Sequence, residues 1–214
     1  MADAFDDFVP AVRAFMVRLR SNNTRAWFND HKAEYEATVK RPALLLLDVM
    51  EPAVSAMVAH PVRPKLFRPQ RDVRFSADKS PYKDHCHLIW HCPEHAPAGF
   101  FLGISPDYVR IGAGAMGFEG KALGRWRELA AGPDGAALAD DLARLKNAGF
   151  DLSEPEGKRV PRPWPQDHPQ AALLLRKQLT VWDDPPLPVS DLTGVLSDRF
   201  AALAPVVRRL APIL

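Results

Sequence analysis

Arginine and lysine side chains are concentrated in one stretch of this 214-residue chain, at a spacing suited to holding an anion. Between Arg63 and Lys83 lie seven cationic residues and two aspartates, a local charge of +5 in a chain whose net charge is only +2. The rest of the chain therefore carries −3. A local excess of positive charge points to a particular surface of the protein, and binding of an anionic partner is one reason for such an excess. We call residues 63–83 the cationic segment.

The centre of the cationic segment combines a short strand pattern with a turn. Alternation places Val73 and Phe75 on the buried face of a predicted strand at 73–75, with Arg74 on the opposite face. Residues 76–81 have turn composition, and the carboxylate of Asp78 is able to bond its own backbone two residues further on. Because arginine forks bind carboxylate or phosphate bidentately and a turn supplies free amides, the segment predicts an anion-binding site.

A second interpretation of the same charges stays open. The arginines and Lys79 are equally able to pair with Asp72, Asp78 and acids elsewhere, in a partly buried ion-pair network that fixes architecture. The unpaired local excess favours the ligand site. The predicted ligand-binding residues are Arg71, Asp72, Arg74, Asp78, Lys79, Tyr82, His31 and His168.

One helical face has the composition of a pocket wall. Asn23, Trp27, His31 and Tyr35 recur at every fourth residue, which places them on one side of a helix. An amide, an imidazole and a phenol beside an indole are typical of a pocket. The same pattern is also typical of a stripe at the edge of the core with satisfied polar tips, and we favour the stripe.

Two patterns that suggest a cofactor fail on spacing and context. In a strand His85 and His87 lie about 7 Å apart, close enough to chelate one ion, but His91 lies about 13 Å further on. Neither His95 nor the cysteines of the region supply a well-spaced third ligand. Residues 112–117 spell a dinucleotide fingerprint, yet the preceding strand belongs to a hairpin and no second parallel strand follows, so these glycines indicate close backbone packing. We expect neither a metal nor another cofactor.

Composition limits the class of protein. No apolar run approaches the roughly 18 residues that span a bilayer, and the first residues are acidic where a signal peptide would be basic. We therefore expect a cytoplasmic protein with no membrane partner. In an unexported chain Cys86 and Cys92 are expected to be free thiols. The nearly balanced net charge gives no strong signal for nucleic acid as a partner.

Hydrophobic periodicity predicts helices at both ends of the chain and strands between them. Helices are predicted at about 7–20, from Thr24 to about 40, from Pro42 to a stop or kink at Pro52, at 120–131, 133–147 and 170–176, and from Ser190 onward. Strands are predicted at 73–75, 85–92, 99–105, 108–112 and 179–182, with a hairpin turn at Pro106-Asp107. This order is the α+β pattern, with N-terminal helices, a central mainly antiparallel sheet, and C-terminal helices packing on it.

Several separate motifs occur together along the chain. One is Asn22-Asn23 followed by Trp27-Phe28, His31-Lys32 and Tyr35, and the most specific is Arg71-Asp72-Val73-Arg74-Phe75-Ser76 through Asp78-Lys79-Ser80-Pro81-Tyr82-Lys83. Weaker ones are 112–114, Pro161-Arg162 and Asp167-His168-Pro169. Through these motifs most of the chain resembles domain-of-unknown-function family 2461, a bacterial and fungal family of conserved proteins. The family usually has a glycine where this chain has Pro163 or Trp164, and the resemblance implies no activity.

The sequence therefore predicts one domain over residues 1–214 with a cationic pocket that binds a phosphate- or carboxylate-bearing small molecule. The alternative is a non-catalytic interaction module in which the same cations bind an acidic protein surface or nucleic acid. The sequence contains no Ser-His-Asp order, nucleophile elbow or Walker loop, so it does not decide whether the protein is an enzyme. A concave cluster would favour the pocket, and a convex strip of mobile cations would favour the module. The oligomeric state is left open.

Overall fold

A computed structural model describes residues 4–92 and 98–213 of the chain. The helices are α1 (Phe8–Ser21), α2 (Arg25–Asp30), α3 (Lys32–Tyr35), α4 (Arg41–Val58), α5 (Gly120–Ala131), α6 (Pro133–Asn147), α7 (Ala171–Leu174) and α8 (Leu192–Leu210). A π-helical turn, Glu36–Lys40, joins α3 to α4, and a 3-10 turn, Ala211–Ile213, follows α8. The strands are β1 (Arg63–Leu66), β2 (Cys86–His91), β3 (Ala98–Ile104), β4 (Val109–Ala115), β5 (Asp151–Leu152) and β6 (Leu179–Asp183).

The six strands form an antiparallel sheet in the order β1-β2-β3-β4-β6-β5. Helices α4 and α8 pack on one face of it. There Phe200 of α8 contacts the rings of Trp90 and Phe100, with centroids 5.4 and 4.8 Å away. The indole N–H of Trp90 donates to the carbonyl of Leu47 on α4, at 3.0 Å. Helices on both sides of the strands in sequence, with an antiparallel sheet between them, confirm the α+β prediction.

Helix α8 owes its position to one apolar stripe. Its side chains recur at the spacing of three and four residues that keeps them on one side of a helix. The six members of the stripe are completely buried: Leu192, Leu196, Phe200, Leu203, Val207 and Leu210. The stripe explains why α8 lies along the centre of the core.

The N-terminal helices differ from the prediction in two places. Thr24 caps α2 as expected, its hydroxyl accepting from the N–H of Trp27 at 3.2 Å, but the helix breaks at His31 instead of running to residue 40. Helix α4 continues through Pro52 to Val58, so of the two alternatives predicted there, a stop or a kink, the stop is wrong. Pro52 lies on the exposed side of α4, where water can hydrate the carbonyl that loses its intrahelical donor.

The predicted strand at 73–75 is also wrong. This part of the chain is irregular, and Phe75, expected on a buried face, is 96% exposed. No strand among the described residues pairs with it, and the carboxylate of Asp72 instead accepts the backbone N–H of Arg74, at 3.2 Å, in a local turn. The strand at this edge of the sheet is β1, which lies earlier in the chain and contains Pro64, a residue that edge strands tolerate.

The glycines of β4 allow close packing against β6, as the sequence predicted. A Cβ atom added to Gly112 would lie 2.2 Å from Cε3 of Trp182. Gly114 has a φ of +134°, a backbone conformation that side chains other than glycine rarely adopt. Both cysteines are free and buried. None of the helices among the described residues is both long and apolar enough to cross a bilayer.

Candidate functional site

The face of the sheet opposite α4 and α8 carries a cavity of about 410 Å³, which we call the sheet cavity. Its walls include the apolar and aromatic side chains Phe67, Phe101, Tyr108, Met116 and Trp182. Its charged or titratable groups are Lys83, His87 and Arg110. Successive strand residues point to opposite faces, so the positions of β2, β3 and β4 that alternate with the core residues supply this surface.

Gly103 makes room for a polar pair in the sheet cavity. The ring of His87 and the hydroxyl of Tyr108 approach across this glycine, with 2.9 Å between Nε2 and the phenol oxygen. A Cβ atom at Gly103 would lie 3.2 Å from both rings. The absent side chain therefore leaves the space that the pair occupies.

Three cations converge at one end of the sheet cavity. The ammonium groups of Lys65 and Lys83 lie over the ring of Phe67, at 5.4 and 5.7 Å from its centroid. Burial lowers the pKa of Lys83 below its ordinary value, and the nearby charges of Arg68 and Lys65 act in the same direction. Within the described part of the chain, neither Lys65 nor Lys83 forms an ion pair with an acid, and Arg68 attracts the carboxylate of Asp72 without forming an ion pair with it.

Lys83 also lines a second cavity of about 370 Å³, which we call the loop cavity. The other residues around it are Arg71, Asp72, Asp84 and His85. The rings of His85 and His87 stack with centroids 4.0 Å apart, so the two cavities adjoin at Lys83 and this pair. Burial lowers the pKa of His87 to about 4, with smaller contributions from His85 and Lys83. His87 is therefore neutral at pH 7.

Residues 70–82 form a loop beside the loop cavity, closed at its base by backbone hydrogen bonds. The N–H of Arg71 donates to the carbonyl of Pro81 at 2.9 Å, and that of Lys83 to the carbonyl of Pro69 at 2.7 Å. Inside the loop, the carboxylate of Asp78 accepts from the N–H of Ser80 at 2.8 Å, which confirms the predicted turn. The hydrogen bonds from the hydroxyl and the N–H of Ser80, followed by the guanidinium of Arg71, lower the pKa of Asp78 to about 2.

Two ion pairs lie in the loop, Arg71–Asp78 and Arg74–Asp72, and their side chains are between 30% and 76% exposed. Arg74 binds Asp72 through two guanidinium nitrogens, with a shortest distance of 2.6 Å, and the Arg74 side chain is 76% exposed. Lys79 donates to the carbonyl of Val73 at 3.0 Å. Exposed ion pairs contribute only about 0–1 kcal/mol each, so this is not a buried network that fixes architecture.

The structure separates the predicted site residues into four groups. The first is at the loop cavity, where Arg71 and Asp72 line the wall and Asp78 is bonded to Arg71. The second, Arg74 and Lys79, lies on the exposed part of the loop. Tyr82 is buried and stacks on Phe28 with centroids 4.0 Å apart, so it belongs to the core. The hydrogen bonds of the other two are local: His31 Nδ1 lies 2.7 Å from the carbonyl of Trp27, and His168 Nδ1 accepts from the N–H of Gln170 at 3.0 Å.

Asn23 ties the loop to the start of α2. Its amide donates to the carbonyl of Tyr82 at 2.9 Å, and its side-chain oxygen accepts the N–H of Tyr82 at 3.1 Å. The two sequence motifs that lie 59 residues apart thus meet at one side chain.

The helical face that begins at Asn23 agrees with the core-edge stripe. Tyr35 is buried, and Phe15 contacts both it and Trp27 at centroid distances of 5.6 and 5.7 Å. The rings of Trp27 and His31 stack 3.9 Å apart.

Metal-binding groups are not gathered in the described residues. No cluster of three or more histidine, cysteine, aspartate or glutamate side chains there is arranged to hold an ion. His95, which the sequence interpretation considered, lies outside the described residues.

A larger cavity, of about 650 Å³, lies between α5 and α8. Three arginines line it, Arg125, Arg208 and Arg209, together with the acids Glu128 and Asp134, and Arg209 binds Asp141 at 3.0 Å and Asp134 at 3.4 Å. The sheet cavity, whose lining residues in the described part of the chain include no acidic side chain, is the better candidate for an anionic ligand.

Sequence reasoning missed the aromatic half of the candidate site. Phe67, Phe101, Tyr108 and Trp182 come from four separate stretches of the chain, and only the register of the strands brings them to one face. One signal was available: the predicted β3–β4 hairpin places Phe101 and Tyr108 on the same side as alternate residues of the adjoining strand.

Comparison with known proteins identifies the family of this chain. The family model described as conserved hypothetical protein (DUF2461) matches residues 11–208, which include every wall of both cavities. No curated protein matches the chain.

Proposed function

The chain belongs to the conserved hypothetical protein family DUF2461, whose description names no activity, and we propose from the geometry that this member binds a small molecule bearing a phosphate or carboxylate. The anionic group would lie where the sheet cavity and the loop cavity adjoin. Two concave surfaces that share a cation favour a pocket over a convex binding strip.

Lys83 carries this proposal. It is half-buried, lines both cavities, and has no acidic partner among the described residues. Neighbouring Lys65 and Arg68 make its charge still less favourable, as the direction of its pKa shift records. An anion bound here would replace this mutual repulsion with attraction.

The polar pair beside Lys83 supplies a hydrogen-bond donor. In a neutral imidazole one ring nitrogen carries a proton and the other accepts. Whether His87 accepts from Tyr108 or donates to it, the pair keeps one N–H or O–H that its own hydrogen bond does not use. Arg71 adds a guanidinium fork at the wall of the loop cavity.

Calorimetric titration with inorganic phosphate and with acetate tests the proposal on the wild-type protein and on Lys83→Met. We expect at least one anion to bind, and Lys83→Met to weaken it by roughly tenfold, equivalent to about 1.4 kcal/mol. Lys79→Met is the matched control, because Lys79 is exposed and bonds only a backbone carbonyl, and it should change the affinity by less than about twofold. Equal weakening in both variants, or no heat from either anion at millimolar concentration, would refute the site.

One observation favours the alternative, a non-catalytic module. Phe75 stands at the exposed part of the 70–82 loop with the guanidinium of Arg74 over its ring, 5.9 Å from the centroid. An exposed aromatic beside a cation suits contact with an acidic protein surface or with the bases of nucleic acid. Affinity for such a partner that Phe75→Ser removes, with phosphate binding unchanged, would support this function instead.

A further inference from the structure

We infer that the ligand has a flat aromatic body joined to a single anionic group, an aryl phosphate or aryl carboxylate, and that the body occupies the sheet cavity. The inference rests on the proposed function, since it assigns the remainder of the ligand whose anion Lys83 binds. Its starting point is size: about 410 Å³ is far more than an inorganic anion fills, and lies within the range of about 300–1,000 Å³ of small-molecule pockets.

The walls of the sheet cavity suit an aromatic body. Phe101 and Trp182 pack against each other with ring centroids 5.8 Å apart, so they form one continuous aromatic wall, and Tyr108 adds a third ring. Aromatic rings attract one another in tilted and offset arrangements at about this separation, so this wall offers ring surface to a further ring. The rings of Trp182 and of the His87–Tyr108 pair lie close to the sheet because Gly112 and Gly103 have no side chain to displace them. A planar aromatic group can stack on such a surface, whereas a bulky aliphatic group contacts it less fully.

The charges of the sheet cavity are unpaired at one end only. Lys83, backed by Lys65, has no acidic partner within the described residues. The other cation, Arg110, binds Asp184 through two hydrogen bonds of 2.6 Å and lies 5.6 Å from the ring centroid of Tyr108. Arg110 therefore serves as part of the wall. A ligand with one anionic end matches this arrangement, and a ligand with a second anionic group at the opposite end does not.

The test compares phenyl phosphate, benzoate, inorganic phosphate and phenol by calorimetry. We expect phenyl phosphate or benzoate to bind at least roughly tenfold more tightly than inorganic phosphate, because the ring leaves water for an apolar cavity. Phenol, which lacks the charge, should bind much more weakly than either. The preference between phenyl phosphate and benzoate identifies the anionic group.

Two variants locate the aromatic body. Met116→Trp blocks the cavity from a half-exposed position and should remove the advantage of the aryl ligand while leaving inorganic phosphate binding unchanged, with Gly117→Val as control because a Cβ atom there meets no neighbour. Phe101→Leu removes one aromatic ring from the wall, should reduce the same advantage, and serves if Met116→Trp does not fold.

Each outcome separates this inference from the proposed function. Inorganic phosphate and aryl ligands binding equally well would overturn the aromatic assignment and leave the anion site standing. An aryl advantage that survives both variants would place the body outside the sheet cavity and overturn the inference in the same way. If no anion binds, the proposed function fails, and the assignment of the aromatic body fails with it.

Discussion

The imidazole of His87 lies between the ring of His85 and the hydroxyl of Tyr108, and burial lowers its pKa from 6.5 to about 4. As the pH falls below 6.5, the unfolded chain takes up this proton while the folded protein does not. Stability therefore rises with pH across this window and is lost as the pH falls from about 6.5 to about 4. His87 is a group whose neutral form the fold requires.

We predict that His87→Gln flattens the acid dependence of stability. A full shift of this size corresponds to roughly 3 kcal/mol, so the wild type should lose on the order of 2 kcal/mol more than the variant between pH 7 and about pH 4.5. Urea unfolding at several pH values measures the difference, because the other titrating groups are common to both proteins. His60→Gln, at an exposed position, should follow the wild-type curve. Parallel curves for wild type and His87→Gln would contradict the account.

At the same scale, the sequence showed the charged loop beside the candidate site, but it predicted neither Lys83 as a ligand-binding residue nor the state of His87. The run from Arg71 to Lys83 shows its cations and its turn directly, because these depend on neighbours a few residues away. The pKa of His87 depends mainly on its burial, which comes from residues that lie far from it in the chain and which the sequence does not show. The sequence interpretation also included Tyr82 among the ligand-binding residues. In the structure the ring of Tyr82 stacks on Phe28 in the core.

At the scale of the elements, the position of the 70–82 loop depends on a small number of hydrogen bonds. Its ion pairs are exposed and weak, and its closure comes from backbone bonds at the base. Asn23 adds two hydrogen bonds from a different element and fixes the loop against α2. The wall of the loop cavity at Arg71 is therefore held in place by a side chain that does not line it.

Replacing Asn23 by alanine should destabilise the protein by about 1–3 kcal/mol, because the backbone N–H and carbonyl of Tyr82 lose their partner at a half-buried position. For a chain of this size each kcal/mol lowers the melting temperature by about 2–4 °C. Differential scanning calorimetry gives the value. Asn29→Ala, on the exposed side of α2, is the control and should stay within about 1 °C of the wild type. Equal melting temperatures for the two variants would show that the tie contributes nothing.

The elements that the sequence predicted well are those with long-range periodicity. The six stripe residues of α8 and the hairpin of β3 and β4 were recovered because their spacing reflects a buried face. The short strand at 73–75 failed because three alternating residues do not say whether a pairing strand exists. Helix α4 passed through Pro52 because its buried side, including Met50 and Val54, outweighs one lost hydrogen bond.

Over the whole molecule, charge is unevenly placed but nearly balanced. The net charge is +2, and within the cationic segment Arg71 and Arg74 are already paired with Asp78 and Asp72. The −3 carried by the rest of the chain offsets the cations of the segment, so the molecule as a whole has little positive charge with which to displace counterions from a nucleic acid backbone, the main source of sequence-independent affinity.

We accordingly predict weak or undetectable binding to random duplex DNA at physiological salt. Fluorescence anisotropy of a labelled duplex measures it, and a repeat at low salt shows whether residual affinity is electrostatic. Submicromolar affinity in physiological buffer, abolished by Arg71→Ala and Arg74→Ala, would instead make the cationic segment a nucleic acid interface.

The packing of Trp182 against Gly112 also gives the protein a built-in optical reporter. Its indole is partly exposed at the wall of the sheet cavity, whereas the other four tryptophans, Trp27, Trp90, Trp126 and Trp164, do not line this cavity. A molecule entering the cavity would change the surroundings of Trp182 and leave the walls around the other four unchanged. Intrinsic emission can therefore follow occupancy of the cavity without a dye or label, and a library of unlabelled compounds can be screened by the spectrum of the protein itself.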